Sequence, residues 1–81
     1  MVRDEIRLKI QELLREITDD ETIILADDTT AEDVGDWDSA NHVRLMIALE
    51  SALKIRFETD EIAAPEDVGE LIDLIESKLQ K

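Results

Sequence analysis

Apolar residues recur at helical spacing in three separate stretches of the chain. Ile6, Ile10, Leu13, Leu14 and Ile17 do so through a segment free of Gly and Pro, which predicts one amphipathic helix from about residue 3 to residue 17. Ala40, Val43 and Ile47, with Met46, Leu49 and Leu53 beside them, predict a second helix from near Ser39 to near Leu53, apolar on more than one face. Val68, Leu71, Ile72, Ile75 and Leu79 predict a third. Asp67 and Glu70 stand in capping-box-like spacing at its start, and Lys78 and Lys81 carry charge suited to a carboxyl end.

Between the second and third patterns, Thr59-Asp60-Glu61-Ile62-Ala63-Ala64 predicts a single helical turn, with Thr59 as its cap and Pro65 as its stop. Apolar and polar residues alternate only in Lys54-Ile55-Arg56-Phe57-Glu58, too short a run to carry a strand assignment. The pattern is therefore all-α: one domain over residues 1–81, a small bundle of three main helices plus one short helix. The connection from Thr18 to Asp38 is long for a compact domain, a length that usually marks function. It holds nine acids and no Lys or Arg, yet Ile23, Ile24, Leu25, Val34 and Trp37 are apolar enough to fold it back onto the bundle as a structured loop.

Composition narrows the function. A chain of 81 residues buries only roughly 60% of the surface its unfolded form exposes, which leaves little room for a deep catalytic cleft. A net charge of -13 repels nucleic acid and anionic membranes and steers association toward proteins with basic surfaces. The absence of cysteine excludes disulfides, thiolate metal sites and a cysteine nucleophile. No apolar run approaches the roughly eighteen residues of a membrane span, so the expectation is a soluble, cytoplasmic monomer.

The acidic loop delivers the chain to Gly35-Asp36-Trp37-Asp38-Ser39, at the predicted start of the second helix. A helix start leaves backbone N–H groups unpaired and carries the positive end of the helix dipole, a favourable setting for a phosphate attached to Ser39. Ser and Asp are also ordinary occupants of a helix start, with Asp38 as the N-cap. The wider context favours more than capping. Gly35-Asp36-Trp37-Asp38-Ser39-Ala40-Asn41-His42-Val43, followed by Leu45-Met46-Ile47-Ala48-Leu49-Glu50, resembles the phosphopantetheine attachment motif of acyl carrier proteins. The likeness extends over nearly the whole chain in length, acidity and element order. It implies that Ser39 carries 4'-phosphopantetheine through a phosphodiester, with Asp38 as the motif acid. It further implies a phosphopantetheinyl transferase that attaches the arm, and acyl-loading and acyl-processing enzymes that use the thioester at its tip. The resemblance implies a carrier that itself catalyses nothing.

The chain departs from the family pattern beside the serine, where Ala40 replaces the usual Leu. The predicted second helix shows Asn41, His42, Arg44 and Lys54, with Glu50 as its principal acid, where many carriers are acidic. Ala40, Asn41, Arg44 and Met46 are the candidate partner contacts, and an Arg on such a helix excludes partners that dock through basic residues. His42, one turn beyond Ser39, is either a solvated surface side chain or a contact to the arm's phosphate. A Ser39-His42-Asp hydrolase is a sharper alternative without a definable oxyanion hole. Asp27, Asp28, Glu32 and Asp33 lack the ligand alternation of an EF-hand, so no metal site is expected. Trp37 serves either as plain core or as the anchor that fixes where Ser39 projects. Acyl cargo for fatty acid, lipid or polyketide-type synthesis, aminoacyl cargo, and an unmodified acidic adaptor all remain open at this level.

Overall fold

The structure is a computed structural model and describes residues 2–80; Lys81, named above as a helix-end charge, lies outside it. Helix α1 spans Arg3–Thr18, α2 Ser39–Leu53, α3 Thr59–Ile62 and α4 Val68–Leu79, with a single 3-10 turn at Ala31–Asp33. The all-α expectation holds, and no strand occurs among the described residues. Ile55 and Phe57 are buried and their neighbours exposed, so the alternation at 54–58 is real. It is realised as extended chain, with the Phe57 N–H donating to the Glu50 carboxylate at 2.8 Å instead of to a neighbouring strand.

α1 packs against α2 and α4, and one core joins Ile6, Ile10 and Leu14 of α1 to Leu45, Met46 and Leu49 of α2 and Val68, Leu71, Ile72 and Ile75 of α4. Removing these side chains from water is the main favourable term in folding. One sequence reading is sharpened here and another corrected. Val43 and Ile47 are 43% and 58% exposed, and Ala40 is exposed beside them. The helical period is satisfied equally by the opposite face, where Leu45, Met46 and Leu49 turn inward. The cap of α3 is Glu58, not Thr59, with the Glu58 N–H donating to Glu61 Oε1 at 2.7 Å; the helix ends at Ile62, before Pro65 is reached.

The loop of residues 19–38 is strapped down along its length. Asp20 accepts from the Thr22 hydroxyl and N–H, which holds its carboxyl below the usual carboxylate range. Arg15 Nε donates to the Ile23 carbonyl at 2.7 Å, and Gln11 Oε1 accepts from the Leu25 N–H at 2.8 Å. The first N–H groups of α4, which no helical carbonyl reaches, are satisfied by the loop: Val68 donates to Thr29 O at 2.9 Å and Gly69 to Asp27 O at 2.6 Å. A Cβ on Gly69 would meet the Asp27 carbonyl at 3.0 Å, which explains the glycine at this approach. Asp67 caps the third such group, accepting from the Glu70 N–H at 2.8 Å. Ile23, Leu25 and Trp37 are buried as expected, but Ile24 is 78% exposed. Extended chain sends neighbouring side chains to opposite sides, so Ile24 cannot follow Ile23 and Leu25 inward.

Candidate functional site

Ser39 is the first residue of α2 and is exposed, and its hydroxyl makes no hydrogen bond to any described residue. Asp38 is the N-cap of α2, its Oδ1 accepting from the Asn41 N–H at 2.8 Å. That bond occupies the carboxylate with the helix end and leaves the neighbouring hydroxyl free to project. The Asn41 amide adds a second tie, Nδ2 donating to the Asp36 carbonyl at 2.8 Å, while its Oδ1 accepts from Arg44 at 2.8 Å. Gly35 has no positive φ, and a Cβ there would meet nothing within 4 Å. The turn before Ser39 is therefore shaped by Asp38 and Asn41, without needing a glycine conformation.

Trp37, 6% exposed, belongs to the core and packs the loop end against the bundle. Its indole Nε1–H donates to His42 Nδ1 at 3.0 Å, the two rings lying 6.0 Å apart and tilted by 31°. His42 Nε2 bonds the carbonyl of Ile62, the last residue of α3, at 2.7 Å. His42 is thus half-buried with both nitrogens engaged, neither a freely solvated side chain nor one turned toward Ser39. No described hydrogen bond joins it to Ser39, so the hydrolase arrangement is not formed. A cavity of about 100 Å³ lies behind it, lined by Ala31, Trp37, His42, Pro65, Glu66, Asp67 and Leu71.

The candidate partner contacts separate on burial. Ala40 and Arg44 are exposed on α2, and Asn41 is half-buried in the ties just described. Met46 is 1% exposed and lies in the core, which corrects its place among surface contacts. Glu50 is half-buried and tied to the Phe57 N–H, so it belongs to the α2 carboxyl end and not to an exposed acidic face. Val43 and Ile47, which carry part of the apolar pattern of α2, lie at the surface as well.

The helical fold as a whole is similar to a solved structure. The solution NMR structure of the holo acyl carrier protein from Geobacter metallireducens is similar with a TM-score of 0.78 and 37% identity, covering 86% of this chain and 80% of that one. The chain belongs to the acyl carrier protein family. No family model matches it, and neither does any curated protein. As an acyl carrier protein it has the family's helical bundle, and no described helix is long and apolar enough to cross a membrane.

Proposed function

We propose that this acyl carrier protein receives 4'-phosphopantetheine on Ser39 and holds acyl intermediates as thioesters for other enzymes of fatty acid, lipid or polyketide-type biosynthesis. The carrying observation is the exposed, unbonded Ser39 hydroxyl at the head of α2, held in place by Asp38, Asn41 and Trp37. Those residues fit the group: the hydroxyl is open to a transferase, and the helix end favours a phosphodiester anion. The arm supplies a thiol that carries the acyl group. The chain's own residues hold the attachment point still, and the rest of the acidic surface supports weak, fast, salt-sensitive encounters.

The structure also supports a particular partner surface. Ala40, Val43 and Ile47 form an exposed apolar stripe along α2 that begins beside Ser39, with Arg44 at its edge. Apolar contact area of this kind supplies binding energy, while Arg44 favours a partner that offers a carboxylate in place of a basic patch. This reading favours dedicated acyl-loading and acyl-processing enzymes.

The attachment is tested by incubating the protein with coenzyme A and a broad-specificity phosphopantetheinyl transferase and recording the intact mass. The expected outcome is gain of one phosphopantetheinyl group, abolished in Ser39→Ala. No gain, or a gain that survives the substitution, overturns the proposal.

A further inference from the structure

His42 makes two hydrogen bonds whose directions depend on each other. The Trp37 indole is a donor only, so the Nδ1 it meets at 3.0 Å must be the unprotonated acceptor of the ring. The ring proton therefore sits on Nε2 and is donated to the Ile62 carbonyl at 2.7 Å. One neutral tautomer satisfies both ends. Its two partners belong to different parts of the fold: Trp37 closes the loop two residues ahead of Ser39, and Ile62 ends α3.

α3 is a helix of four residues, too short to sustain itself, and its position depends on what it is tied to. Besides packing by the half-buried Ile62, it is held by an ion pair of Glu61 with Lys78 of α4 at 2.6 Å and by the His42 bond. His42 thus joins three elements at one ring: the loop end, α2 and α3. Protonation changes this junction in a defined way, because an imidazolium has two N–H donors and no acceptor. The bond to Ile62 survives, but Nδ1–H then points at the Trp37 N–H, donor against donor.

We infer that His42 is a positioning residue that couples the placement of Trp37, and with it the presentation of Ser39, to pH. Above neutrality the neutral ring ties loop, α2 and α3 together. As pH falls, the Trp37 side of the tie opens and the segment leading to Ser39 loosens. Charged residues of both signs stand on the elements that meet at the ring. Asp38 precedes Ser39 in the loop and offers its backbone carbonyl to the His42 N–H at 2.8 Å. Glu61 stands on α3, paired with Lys78, and Glu66 and Asp67 line the shared cavity from the link before α4. Arg44 on α2 keeps its charge throughout. Carboxylates as a class titrate near pH 4, so measurements in a window between about pH 8 and pH 5.5 leave the side-chain carboxylates charged throughout.

This inference rests in part on the carrier reading, since it concerns presentation of Ser39, but its first test does not. Trp37 is the sole tryptophan, so its indole N–H gives a single resonance in a nitrogen-edited NMR spectrum of the labelled protein. In the wild type that resonance is expected to shift with a one-proton transition within the window; in His42→Gln the transition disappears. A wild-type resonance that stays flat, or one that titrates equally in the variant, overturns the inference and leaves the carrier reading intact. The second test compares transferase rates on wild type, His42→Gln and Trp37→Phe across the same window. The expected ratio of wild type to either variant falls roughly fivefold from pH 8 to pH 5.5, the factor one ordinary hydrogen bond carries. Trp37→Phe keeps an aromatic ring without the donor, so it covers the case in which His42→Gln folds poorly. A constant ratio for both variants denies the link to Ser39.

Discussion

Met46 and Ile47 are adjacent in the chain and opposite in environment, 1% and 58% exposed. A helix turns roughly 100° per residue, so neighbours on a half-buried helix divide between core and surface. Met46→Ala removes contacts on all sides and leaves a void, a loss of about 2–5 kcal/mol. Ile47→Ala should stay within about 0.5 kcal/mol, because little of its surface is withdrawn from water. Urea unfolding of the two variants without the arm checks this contrast. Equal losses would mean that the apolar stripe of Ala40, Val43 and Ile47 is covered in solution.

At the scale of elements, α2 stops without a glycine. Its C-cap is Lys54, held at φ 57 in the left-handed region, with the Lys54 and Ile55 N–H groups both returning to the Glu50 carbonyl. The left-handed conformation costs an L-residue roughly 1–2 kcal/mol, and glycine adopts it freely at some cost in unfolded-chain entropy. Lys54→Gly is therefore expected to raise stability by about 0.5–1 kcal/mol with an unchanged denaturant slope. A lower unfolding midpoint would show that the Lys54 side chain contributes more than its backbone costs. The stop near Leu53 was legible from the end of the apolar pattern, whereas its mechanism was not, because no Gly or Asn marks it. The cap of α3 was hidden for a similar reason. Thr59 is a better cap by type, but Glu58 sits where the backbone leaves the extended run that buries Ile55 and Phe57.

For the whole molecule the governing quantity is the net charge of -13 on an 81-residue body. Arg3 is the chief local relief, its guanidinium bonding Asp73 at 2.5 Å, Glu76 at 2.7 Å and Asp27 at 3.4 Å. The bonds to Asp73 and Glu76 above all raise its pKa and keep it charged. It clasps α1, the loop and α4, but each pair is partly solvated and of small individual worth. With 22 acids against nine bases, mutual repulsion should outweigh these pairs. Raising salt from about 10 mM to about 0.5 M, which shrinks the Debye length from about 30 Å to well under 10 Å, is expected to raise the thermal midpoint. A midpoint that falls would place the ion pairs above the repulsion.

Local signals determined the three long helices, the bounds of the first two to within a residue or so, and the placement of Ser39 and Asp38 at the head of α2, since a 3.6-residue repeat and a capping residue are read along the chain itself. The burial of Ile23, Leu25 and Trp37 also followed from their apolar character within an otherwise acidic loop. Which face of α2 meets the core was decided only by packing against α1, because Ala40, Val43 and Ile47 satisfy the same repeat as the inward residues. The role of His42 belongs wholly to tertiary structure. Its partners are the indole of Trp37 and a backbone carbonyl twenty residues away, and a carbonyl has no letter in the sequence.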